Sequence, residues 1–123
     1  KFNYDVNFRV SKEKGVYKIV DKDNRATIII EVLENDKEVM SIDKDRASSL
    51  AQERIVDSSY NKISFSCLDH ICQSVYQNDK KEITIDVEYI DKYIYIYELT
   101  NNIDDNEDYI EKFDLIVNSF MRA

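Results

Sequence analysis

At 123 residues the chain is the size of one domain, enough to bury a single core and too small for two. Its formal charge of −8, from 25 acidic and 17 basic residues, repels phosphate backbones and anionic bilayers, which disfavours nucleic acid and membrane surfaces as partners. One Gly and no Pro exclude a Gly-rich phosphate cradle, and no segment approaches the roughly 18 apolar residues of a membrane span.

The first ten residues alternate, with Phe2, Tyr4, Val6, Phe8 and Val10 on one face and Asn3, Asp5, Asn7 and Arg9 on the other. A period of two predicts a half-buried strand. Ser11 to Gly15 is read as the break, and Val16 to Val20 as a second strand. Gly15 is free to take a positive backbone angle in that turn. Asp21 to Arg25 is a polar connection into the β-branched run Ala26 to Leu33, which predicts a central strand covered on both faces.

Glu34 to Met40 reads as a charged loop. Ser41 or Asp43 then caps a helix whose apolar stripe is Ala47, Leu50, Ala51 and Ile55. From residue 61 the period returns to two. Ile63, Phe65 and Cys67 alternate before a turn over residues 68–71, and Cys72, Ser74 and Tyr76 alternate after it. Ile83, Ile85, Val87 and Tyr89 then oppose Glu82, Thr84, Asp86 and Glu88, and Asp91-Lys92 reverses the chain into Tyr93 to Leu99. In the last helix Tyr109, Ile110, Phe113, Ile116, Val117, Phe120 and Met121 recur at spacings of three and four. Asp104 and Glu107 have capping-box spacing at its start.

The order β-β-β-α-β-β-β-β-α, with short turns between consecutive strands, predicts an α+β fold. The expected architecture is an antiparallel β-sheet of about six to seven strands with two helices, one domain over residues 1–123.

This order resembles the PsbP-like α/β/α family. The resemblance rests on the hairpin start, the Ile28-Ile29-Ile30-Glu31-Val32 strand, the aromatic strand ending Tyr97-Glu98-Leu99-Thr100, and the helix carrying Phe113-Asp114-Leu115-Ile116-Val117-Asn118-Ser119-Phe120. Lys14-Gly15-Val16-Tyr17 keeps the Gly of a Pro-x-Gly-Trp stretch that many members carry in the first hairpin, but has neither Pro nor Trp. The resemblance implies a PsbP-like sandwich with no shared catalytic motif. It also implies an accessory or assembly subunit, an extracytoplasmic lipoprotein or a chaperone for secreted toxins.

Cys67 and Cys72 flank the predicted turn symmetrically. Opposed residues of an antiparallel pair stand about 4.5–5.5 Å apart at Cα, within disulfide range, so a disulfide and an oxidising compartment are expected ahead of two buried thiols. Cys67, His70 and Cys72, with Asp69, are zinc-type ligands, but Cys-x-x-His-x-Cys fits no common structural framework and no second ligand pair follows. No metal is assigned. A nucleophilic cysteine needs an orienting partner that sequence closeness to His70 does not supply, so no catalytic residue is assigned either.

Tyr93, Tyr95 and Tyr97 share one strand face, with Ile94 and Ile96 on the other. Either row can be the buried one. Exposed, the tyrosines would bind protein; the alternative packs them beneath the first helix. Glu98 to Glu111 carries Glu98, Asp104, Asp105, Glu107, Asp108 and Glu111 with no basic residue, which is a capped and solvated helix start or a docking face for a basic partner. An EF-hand order is absent.

The expected function is a non-enzymatic, extracytoplasmic protein-binding domain without cofactors. It would act as an accessory or assembly subunit, secretion chaperone or immunity protein, meeting a possibly basic protein through Tyr93, Tyr95, Tyr97, Asp104, Asp105, Glu107 and Asp108. The competing class is a small-molecule carrier with a pocket between sheet and helix near Tyr95 or Phe113. The expected localisation is the periplasm or another extracytoplasmic space. Starting at Lys1 rather than Met, the chain reads as a processed or trimmed form, with any signal peptide or lipid anchor not visible in it. No reactive cleft is expected, since the helices should seal the sheet.

Overall fold

The computed structural model describes residues 8–13, 16–21, 26–34, 44–90, 93–105, 111, 113–115 and 117, the side chains of 8–13, 21 and 105 excepted. The strands are β1 (Phe8–Glu13), β2 (Val16–Asp21), β3 (Ala26–Glu34), β4 (Asn61–Leu68), β5 (Ile71–Gln77), β6 (Lys81–Ile90) and β7 (Tyr93–Asn102). They form one antiparallel sheet in the order β1-β2-β3-β7-β6-β5-β4. Helix α1 (Lys44–Glu53) crosses from β3 to the far edge, and Glu111, Phe113, Asp114, Leu115 and Val117 are helical. This is the predicted α+β sheet.

Some boundaries move. Ser11 to Glu13 continue β1 rather than breaking it, because they pair with Val16 to Lys18 across the hairpin. Residues 2–7 of the predicted first strand, the Ser41 and Asp43 caps and the Asp91-Lys92 reversal lie outside the described residues. The loop after β4 is two residues rather than four, Asp69 and His70, with Asp69 in the left-handed region at φ 56°. Aspartate tolerates that region better than most residues. Ile63 is not in the buried row: the register shifts between Lys62 and Ser64, and Ile63 turns outward.

Each face of the sheet has its own core. Ile83, Ile85, Val87 and Tyr89 of β6 join Ile94 and Ile96 of β7 beneath Ala47 and Ala51 of α1, with Cys72 and Tyr76 alongside. The two alanines let the helix backbone approach closely, and the Tyr76 hydroxyl donates to Gln52 Oε1 at 3.1 Å. Ile55 lies past the helix end but still packs at the edge of this core. On the opposite face Ile19, Ala26, Ile28, Ile30, Tyr97 and Leu99 pack with Phe113 and Val117 of the last helix. The isoleucines of β7 therefore face α1, and its tyrosines face the last helix.

Candidate functional site: an acidic recess at the hairpin tip

Register places Glu82, Thr84, Asp86 and Glu88 of β6 on the same face as the β7 tyrosines, since Asp86 opposes Tyr97 and Glu88 opposes Tyr95. As a polar row on an alternating strand it reads as solvent-facing. It is buried instead, because β6 is an inner strand whose second face is also covered.

Strand β5 supplies amide partners to part of this row. Gln77 opposes Glu82 and donates from Nε2 to its Oε1 at 2.6 Å, and Gln73 opposes Asp86 and donates to its Oδ1 at 2.9 Å. Glu88 opposes Ile71, which has no donor to offer. Its side chain is 1% exposed, and its nearest polar neighbour is His70, with Nε2 2.9 Å from Oε2. The Tyr97 phenol also hydrogen-bonds this carboxylate.

These groups surround a cavity of about 320 Å³ lined by Leu68, Asp69, His70, Ile71, Asp86, Glu88, Asp114 and Val117. His70 thus borders this recess from the hairpin turn. The hairpin tip and the last helix both contribute to its lining, while the β6 acids themselves are buried. The cavity lies between sheet and helix as a carrier would need, but Tyr95 and Phe113 are not among the described residues that line it.

Burial dominates the electrostatics. It pushes the Asp86 carboxyl up to about 7, with Gln73 opposing the shift and the Asp114 and Glu88 charges adding to it. Burial also raises Glu88, opposed by His70 and the Tyr97 phenol, and it raises Asp114. The Tyr97 phenol is pushed well above its usual value, first by burial and then by the Glu88 charge. A site with these groups favours a cation or a proton.

Cys67 and Cys72 are opposed across β4 and β5 with Cα atoms 4.0 Å apart and are joined by a disulfide. The bond clamps the hairpin one residue from Leu68 and Ile71, and so holds the turn that carries His70. It also occupies both sulfurs, leaving no thiol as nucleophile or metal ligand. Among the described residues no three His, Cys, Asp or Glu side chains have metal-holding geometry.

The residues expected to meet a partner are dispersed. Tyr97 is fully buried, Tyr95 is half-buried and Tyr93 is 45% exposed, their rings in tilted steps of 6.4 Å. Only the outer end of the row presents surface. It lies on the last-helix face rather than beneath α1. Asp104 is exposed, and with Asp105 it belongs to the 3₁₀ turn Ile103–Asp105, while the helix start that it was expected to cap lies outside the described residues. Glu107 and Asp108 lie outside the described residues. Sequence reasoning missed Asp86, Glu88 and Asp114. The available signal was the matched spacing of Gln73 and Gln77 on one strand with Asp86 and Glu82 on the next.

No protein-family model matches the chain, and no curated protein sequence matches it. Among solved structures it is similar to the solution structure of cyanobacterial PsbP (CyanoP) from Synechocystis, with a TM-score of 0.71 and 13% identity over 96% of this chain and 83% of that one. A crystal structure from Bacteroides thetaiotaomicron gives a TM-score of 0.49 and 12% identity over 83% of this chain and 38% of that one. No helix among the described residues is long and apolar enough to cross a membrane. The sheet, its two helical covers and the agreement with the cyanobacterial structure establish that this chain has a PsbP-like fold.

Proposed function

We propose that the protein is a non-enzymatic, extracytoplasmic protein-binding domain that engages a basic partner. The observation that carries the reading is the acidic recess beside His70, where Glu88 is buried without an amide donor and Asp86 and Asp114 add negative charge. A cationic protein both neutralises this site and is steered toward it by the net charge of −8. The disulfide supports an oxidising compartment, and the PsbP-like fold supports an accessory or assembly role. A secretion chaperone or an immunity protein that neutralises a basic toxin has the same requirements. The non-enzymatic reading is supported by the locked sulfurs, which leave no thiol nucleophile.

The test is affinity capture from an extracytoplasmic extract of the source organism at low salt, followed by elution at high salt. One basic protein recovered in stoichiometric amount and released by salt is the expected result. Recovery of no protein partner contradicts the reading.

A second reading, a small-molecule carrier, is favoured by the cavity of about 320 Å³, since ligand pockets usually exceed about 300 Å³. Native mass spectrometry of protein purified from its source separates the two: a retained small molecule supports the carrier.

A further inference from the structure

We propose that β4 is an interface between two copies of this chain, which pair edge to edge and antiparallel about Ser66. The inference goes beyond the protein-binding reading above and does not rest on it.

Strand β4 ends the sheet, with β5 as its one neighbour among the described residues, and Asn61 to Ser64, Ser66 and Leu68 are exposed. Two contacts show which of its backbone groups point outward. The His70 carbonyl accepts from the Tyr89 amide at 3.0 Å, so His70, and with it Cys72 and Ser74 at the strand period of two, bond toward β6 and away from β4. In agreement, Cys67 and Cys72 are 4.0 Å apart at Cα, the narrow spacing of an opposed pair that exchanges no backbone bonds. Phe65 and Cys67, opposite Ser74 and Cys72, therefore direct their N–H and C=O groups out along the open edge.

Little guards that edge. Native edges are blunted by charges, Pro, bulges or a cover. The chain has no Pro, and the one charged residue of β4 is Lys62. Its ammonium is held over the α1 face, donating to Ser48 Oγ at 3.0 Å and lying 4.6 Å above the Phe65 ring. The bulge at Ile63 interrupts only the start of the strand and leaves Ser64 to Leu68 regular. The opposite edge, β1, has Arg9, Lys12 and Glu13 in its short run.

Charge and spacing point to a second copy as the occupant. Ser58 to Leu68 include no acid in a chain that carries 25, so two molecules of charge −8 bring no like charges together along this ladder. Rotation about Ser66 sets Phe65 of each copy opposite Cys67 of the other, and Ser64 opposite Leu68. Since Phe65 and Cys67 hold the outward backbone groups, each of these pairs exchanges both of its N–H···O bonds. Phe65 packs on the α1 face and comes diagonal to its own counterpart, a spacing that aromatic rings span. The extra residue at Ile63 brings Lys62 of each copy toward Asp69 of the other, an exposed acid of the hairpin turn.

The experiment is sedimentation velocity of the full oxidised chain from about 10 μM to about 1 mM, with amide-resolved hydrogen exchange at both ends of that range. So short an interface should have a dissociation constant of about 0.1 mM. The expected result is a monomer–dimer equilibrium in which the Phe65 and Cys67 amides exchange about fivefold more slowly at the high concentration, by mass action. The Ser64 and Ser66 amides, bonded to β5, should not change. Ser66→Lys sets two ammonium groups against each other at the dyad and should weaken association at least about fivefold. Ser58→Lys makes the same charge change at an exposed position off the ladder and should leave it intact. If Ser66→Lys does not fold, Ser64→Lys at the neighbouring exposed rung makes the same test. A monomer at every concentration overturns the proposal, as does a dimer indifferent to both edge lysines. Phe65 and Cys67 amides protected even when dilute overturn it too, since the edge is then covered within one chain.

Discussion

His70 Nε2 lies 2.9 Å from Oε2 of Glu88, so a turn residue that is half exposed touches a carboxylate that is almost wholly buried. The contact joins the tip of the β4–β5 hairpin to the middle of the sheet. It exists because Ile71, directly across from Glu88, has no donor and the next residue back does.

Burial of Asp86 makes stability depend on pH. Its carboxyl moves from an ordinary 3.8 to about 7 in the folded chain, so between those values the native state holds a proton that the unfolded state has lost. Stability then falls as pH rises from about 4 to 7, and is fully reduced above that. Asp86→Asn keeps an acceptor for Gln73 and removes the ionisation. It should raise the melting temperature at pH 8 and flatten the pH profile, which calorimetry across that range checks.

Removing the disulfide should cost about 2 kcal/mol, because the loop it closes is short. Urea denaturation of the Cys67→Ser/Cys72→Ser double variant measures this. Amide exchange should quicken at Leu68 to Ile71 and remain slow in β3 and β7.

Phe113 is fully buried and fastens the last helix to the sheet. Phe113→Ala should cost about 3–5 kcal/mol and loosen the recess, which Val117 and Asp114 help to line. By contrast, Val56→Ser at a site 93% exposed should stay within about 0.5 kcal/mol. The pair is compared by denaturant midpoint.

On the other face Arg54 forms an ion pair with Glu31 and also holds down Glu98, whose carboxyl burial raises and the Glu31 charge raises further. Arg54→Ala leaves both acids uncompensated and should cost about 1–2 kcal/mol at neutral pH, less than a fully buried pair because both partners are partly exposed. With Glu98 pushed still higher, the loss should shrink as pH falls and the acid takes up its proton. Denaturation at pH 7 and pH 5 gives the comparison.

The β-branched run of β3, the alternation of β6 and β7 and the helical spacing around Phe113 carried the fold, because a period of two or of three to four states which row is apolar. They could not state which helix covers which row. In β7 both Tyr93-Tyr95-Tyr97 and Ile94-Ile96 are apolar enough to be covered, and the isoleucines are covered wholly, the tyrosines in part. In β6 the burial of the acidic row depends on strand order and on the last helix, neither of which leaves a local mark. The disulfide was legible because both cysteines sit beside one turn. The recess was not, because it needs His70, Asp86, Glu88 and Asp114 from three separate elements.

Everything proposed for the recess requires the β6 acids to be sheltered under the last helix. Site-resolved carboxyl NMR during a pH titration measures this directly. The account predicts a midpoint near 7 for Asp86, with the Gln73 side-chain amide moving in step, and a midpoint for Glu88 above the usual glutamate value. Ordinary aspartate and glutamate midpoints at both positions, with Gln73 unresponsive, would contradict it.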